Sequence, residues 1–151
     1  MEELVHNAKE ELKRVDHLIY VSLKYTRTVD VLRNVIKRLI NAFEFSTDAL
    51  LENALEKGDI DNVPQAAKLK IEKLQELYKD DPAILDILTL YMLLRRLVKV
   101  EYDKECEYRR HVCMISKIDG QEVKITIDKV TEYYKQAKDF MDYVQQNYVR
   151  E

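Results

Sequence analysis

The densest run of chemistry-bearing side chains is Asp103-Lys104-Glu105-Cys106-Glu107-Tyr108-Arg109-Arg110-His111. Read as helix, the run sets Glu105 against Arg109 and Glu107 against His111, one turn apart. A carboxylate beside an imidazole can orient a general base, and adjacent guanidinium groups can stabilise a charged phosphoryl transition state. Arg109, Arg110 and His111 are therefore the candidate catalytic residues if the chain cleaves RNA. The plainer account is a solvated helix end laced by ion pairs, each worth a few tenths of a kcal/mol.

Cys106, His111 and Cys113 with a nearby carboxylate could offer metal ligands. Their spacing matches no zinc pattern, and a Cys-x-x-Cys pair is absent. No metal and no cofactor is expected. The only glycines are Gly58 and Gly120, so a Gly-rich phosphate loop cannot form. Ser22, Ser46 and Ser116 stand in no nucleophile motif. His6 and His17 are isolated, and neither is assigned a role.

Nucleic-acid binding would need clustered cations and stacking rings. Arg27, Arg33, Lys37 and Arg38 could form one basic face, and Arg95, Arg96 and Lys99 another. Arg33, Lys37, Arg95 and Arg96 are the candidate nucleic-acid contacts, with ten tyrosines as a reservoir of stacking surface. Each basic run has acidic neighbours, and most tyrosines fall on apolar stripes, so packing and solvation are the favoured account of them. Arg95-Arg96 directly follows an apolar segment. At least one of the two must sit at an edge or meet a carboxylate, because an unpaired buried charge is too costly.

The elements that would hold these residues are helices. Two Gly and two Pro in 151 residues leave room for few connections, so the elements must be long. Apolar residues recur every three to four positions, the mark of amphipathic helix. The spacing predicts helices over 2–25, 29–57, 63–78, 82–112 and 128–148. Thr26 or Thr28 would cap the second, Asn62 the third, Asp80 or Asp81 the fourth, and Thr126 or Asp128 the fifth. Gly58 would end the second in a left-handed conformation. Asp119-Gly120 lies between alternating residues, so 113–125 reads as a turn or a short β-hairpin on the bundle. The expected fold is all-α, an antiparallel bundle of about five helices in a single domain spanning 1–151.

Composition narrows the function classes. The chain is 46% hydrophobic and 35% charged, which suits a folded core with wet outer faces. A net charge of −3 gives no global pull toward nucleic acid or anionic lipid. The N-terminal Met1-Glu2-Glu3-Leu4-Val5-His6 does not read as a signal peptide, and 84–98 is too short and too charged to span a bilayer. On a continuous helix Cys106 and Cys113 would be roughly 10 Å apart, beyond disulfide reach. A cytoplasmic protein without membrane attachment is expected.

The order of elements resembles the HEPN superfamily of prokaryotic helical bundles. The resemblance rests on the long first helix pair and on Lys24-Tyr25-Thr26-Arg27-Thr28-Val29 entering the second helix. It also rests on Tyr108-Arg109-Arg110-His111-Val112, followed by a loop and then residues 127–144. Active members are metal-independent ribonucleases with an Arg four to six intervening residues before a His, at a dimer interface. Here those positions hold Lys104, Glu105 and Cys106, so the signature is not met. The resemblance implies a bundle fold and dimerisation.

Residues 84–94 are apolar nearly all round, which calls for cover by other helices or by a second subunit. The expected function is accordingly a non-catalytic module that binds itself, as a homodimer, or another protein. The alternatives are a divergent HEPN-like ribonuclease and a small nucleic-acid-binding module.

Overall fold

The computed structural model describes residues 2–149. It is 68% helical, with five helices and a small antiparallel sheet. The first rod, α1, covers 2–25. It is α-helical over Glu2–His17, π-helical over Leu18–Ser22, and α-helical again over Leu23–Tyr25. The remaining elements are α2 (Val29–Lys57), α3 (Ala67–Leu77), α4 (Pro82–Leu97), β1 (Tyr102–Glu105), β2 (Cys113–Ile118), β3 (Gln121–Thr126) and α5 (Ile127–Asn147).

Capping chemistry starts the helices where small polar residues stand. Thr28 accepts from the Val31 N–H at 3.3 Å, Asp81 from Ile84 at 3.4 Å, and Thr126 from Lys129 at 3.1 Å. Gly58 ends α2 at φ +81, and the next N–H returns to the Ala54 carbonyl at 2.9 Å. The antiparallel pair α1 and α2 forms the centre, with α5 packed along both. Val15, Leu32, Val35, Ile36, Leu39, Phe43, Leu50 and Val144 are essentially inaccessible in the resulting core.

Three expectations need correction. The third helix begins at Ala67, not at 63, and Asn62 does not cap it; the cap position is Ala66, without a side-chain bond. Pro64 disfavours helical backbone at Val63. The segment instead anchors through buried Ile60 and half-buried Val63.

The fourth helix stops at Leu97 instead of running to 112. Beyond it the burial period changes from helical to alternating: Val98, Val100 and Tyr102 are half-buried, while Lys99, Glu101 and Asp103 face water. Residues 98–100 close the helix in a turn, with the Val98 N–H on the Leu94 carbonyl and the Lys99 and Val100 N–H groups on the Arg96 carbonyl, and strand pairing starts only at Tyr102. The fold is therefore a helical bundle carrying a sheet, larger than the hairpin alone. Its strand order is β1-β2-β3, with Glu105 opposite Cys113 and Ile118 opposite Gln121. Asp119 (φ +52) and Gly120 (φ +78) make the tight turn of the hairpin, both in the left-handed region as a type I′ turn requires. Met114, Ser116 and Ile118 face inward.

Most of the apolar surface of α4 is covered within the chain, with Leu85, Met92 and Leu93 left half-buried. Ile84, Leu88, Leu94 and Leu97 are fully buried, and Ile87, Leu90 and Tyr91 nearly so. The cover comes from α2, α3, α5 and β2. A second subunit is not needed to bury most of this helix.

Candidate functional site

With 98–112 not helical, Glu105 does not face Arg109 and Glu107 does not face His111 along a helix. Glu107 instead accepts the Val29 N–H at 3.0 Å, at the start of α2 and far away in sequence. The Tyr108 N–H donates to the Arg27 carbonyl at 2.6 Å. These two bonds fasten the β1–β2 loop to the α1–α2 turn. Fastening bends the backbone: Cys106 (φ 54) and Tyr108 (φ 66) both lie in the left-handed region. A non-glycine residue there costs about 1–2 kcal/mol, so the loop holds its shape against local preference.

The fastened loop forms one wall of a groove of about 420 Å³. Arg110 and His111 stand on that wall. The last turns of α1 also line it, through Ile19 and Tyr20 of the π segment and Leu23 and Lys24 just after it, continued by Arg27. Thr126, Ile127 and Asp128, at the start of α5, close the end. The π turn is defined by the Leu23 N–H, which bonds five residues back to the Leu18 carbonyl. It keeps Ile19 and Leu23 buried while leaving Tyr20 half exposed.

Lys24, Arg27, Arg110 and His111 thus share one groove with a single carboxylate, Asp128. Of the three most exposed of the described tyrosines, one lines this groove. Tyr20 (50%) lines it, Tyr25 (79%) adjoins Lys24, and Tyr108 (78%) is bonded to Arg27. The other tyrosines are half-buried or buried. The arrangement can hold phosphate by charge and stack bases on rings.

Only part of the sequence-derived site assembles here. Arg110 and His111 are in the groove, whereas the exposed Arg109 is not among its lining residues. Arg33 is occupied structurally: it stacks on Tyr102 at 4.3 Å and donates to the Val98 carbonyl at 3.2 Å. Lys37 is exposed on α2, outside this groove. Arg95 and Arg96 line a separate cleft of about 490 Å³ with Lys68 and Lys99.

The requirement that one of this arginine pair find a partner is met. Arg96 clasps Asp119 of the hairpin turn with bonds of 2.7 and 2.8 Å, which hold the Asp119 carboxyl below its usual range. Arg95 lies over the Tyr91 ring at 5.6 Å. Lys24 and the start of α5 were not singled out as site residues from sequence. Lys24 alternates with Arg27 around Tyr25, and that is the signal that could have marked it.

No described cluster of His, Cys, Asp and Glu could hold a metal ion. No described helix is long and apolar enough to cross a membrane. No protein-family model, curated protein or solved structure matches this chain.

Proposed function

We propose that this chain binds single-stranded nucleic acid in the groove lined by the last turns of α1, the β1–β2 loop and the start of α5. One observation carries the reading: the half-exposed Tyr20 lines the same groove that gathers Lys24, Arg27, Arg110 and His111. Cations bind phosphates without regard to sequence, and open rings accept splayed bases, each stack worth about 1–3 kcal/mol. Fluorescence anisotropy with short single-stranded RNA, single-stranded DNA and duplex RNA tests it. Binding should favour single strands and weaken steeply with salt. Salt-insensitive or undetectable binding rejects the reading.

A divergent ribonuclease, lacking the Arg–His spacing of active HEPN members, is the second reading. Its support is that Arg110 and His111 share the groove. There His111 would exchange a proton and Arg110 would neutralise phosphoryl charge. Incubating mixed RNA with wild type and with His111→Ala separates the two readings, since equal or absent cleavage leaves binding alone. Self-association is a third reading, supported by Leu85, Met92 and Leu93, which stay half-buried on α4. Light scattering on the purified chain tests it directly.

A further inference from the structure

Cys106 and Cys113 bracket the loop that carries Arg109, Arg110 and His111. Glu105 pairs directly with Cys113 in the β1–β2 register, so Cys106 lies one residue past the last rung. Residues opposed across an antiparallel pair are about 4.5–5.5 Å apart at Cα. One step beyond such a pair is about 6 Å away, inside the range of about 4.4–6.8 Å that a disulfide needs. Along a regular strand Cys106 would point to the face opposite Glu105, but its backbone at φ 54 departs from the strand path. Burial and the Glu105 carboxylate push the Cys113 thiol up, and Cys106 is among the groups close enough to add to that. The two sulfurs also differ in access: Cys106 is exposed and Cys113 is buried.

We propose that Cys106 and Cys113 are a redox-responsive dithiol, which a peroxide closes into an intrachain disulfide across the base of the groove's loop. The exposed Cys106 thiolate attacks a peroxide oxygen. The O–O bond breaks, Cys106 becomes a sulfenic acid, and the first water leaves. The Cys113 sulfur then attacks the Cys106 sulfur. An S–S bond forms, the S–O bond breaks, and the departing hydroxide takes the Cys113 proton as a second water. Two thiols lose two electrons and two protons, and the peroxide is reduced to two waters. The closed ring clamps the segment between the two strands, including the Arg109–Arg110 peptide bond. The proposal stands whether or not the groove binds nucleic acid.

The full-length chain, fully reduced, is treated with hydrogen peroxide at one equivalent and mapped by mass spectrometry without reductant. Both thiols should disappear together into a Cys106–Cys113 cross-link within a monomer. Cys106→Ser, a change at an exposed position, should slow loss of the Cys113 thiol at least tenfold. Limited trypsin cleavage after Arg109 and Arg110 should slow about tenfold in the oxidised chain and recover on reduction. Loss of the Cys106 thiol with Cys113 left free overturns the proposal. So does oxidation of Cys106 beyond the sulfenic acid, interchain cross-linking in place of the internal one, or unchanged trypsin cleavage of a cross-linked loop.

Discussion

Two carboxylates in this molecule each cap a helix start from the backbone side, and their surroundings differ. Asp81 caps α4, and its second oxygen accepts the Tyr143 hydroxyl at 2.6 Å and the Tyr148 hydroxyl at 2.7 Å. Those tyrosines stack edge to face on each other, and Tyr148 on Tyr78, so the C-terminal end of α5 is tied to the α3–α4 connection. Glu107 caps α2, but its other oxygen has only Lys104 at 3.6 Å, and residues on both sides of it have left-handed backbone. Asp81 is at the centre of a satisfied, relaxed knot. Glu107 holds a strained loop whose neighbouring side chains face open water. Strain that persists beside an open basic groove fits a loop kept in place for binding, not for stability.

Variants at each end should separate the two roles. Asp81→Ala removes a cap and leaves two tyrosine hydroxyls without their acceptor, which should cost about 2–3 kcal/mol in urea unfolding. Its RNA affinity, once folded, should match wild type. Arg110→Ala should leave stability within about 0.5 kcal/mol, as expected of an exposed cation, yet weaken RNA binding about tenfold in anisotropy. Equal loss of stability in both variants would dissolve the contrast.

Titration sharpens it further. Burial pushes the Asp81 carboxyl up, but the hydroxyls of Tyr143 and Tyr148 and the Ile84 N–H outweigh that and hold it below its usual value. The unfolded chain therefore binds a proton that the folded chain resists. This stabilisation is present above about pH 4 and is lost as the pH falls further. Burial first, then the bond to Asp81, raises the Tyr148 hydroxyl, and the Asp81 bond raises Tyr143. Their contribution is complete below about pH 10 and is lost above it. Thermal melts across pH should show both limbs, and Asp81→Asn should flatten the acid one. The smallest expected effect is Tyr108→Gly. Relieving the left-handed backbone should raise stability by about 0.5–1 kcal/mol while lowering RNA affinity, because an exposed ring is lost.

Local chemistry was legible in the sequence. Thr28, Asp81 and Thr126 cap where small polar residues precede apolar stripes, and Gly58 and Asp119-Gly120 turn where left-handed backbone is required. The error at 98–112 came from extending a helical stripe through a charged run. The chain turns at 98–100 and pairs as a strand only over Tyr102–Glu105, four mostly exposed residues whose period is too short to stand out. The groove was harder to read, because it joins segments around residues 20, 110 and 127 that only tertiary packing brings together. Arg110 and His111 could be named from their types. Their partners Lys24 and Arg27 depend on a loop tie made by Glu107 and Tyr108, and no pattern in the chain announces it.

The π turn at Leu18–Ser22 has a consequence for how this wall can vary. Such a turn carries about one residue more than an α turn, and each residue of a helix advances the angular position by about 100°. Deleting Val21 would restore regular winding, bring Ile19 and Leu23 three positions apart on the same buried side, and swing what lies between them. A shape of this kind arises from a single inserted codon and is lost by removing one, with the scaffold on either side left intact.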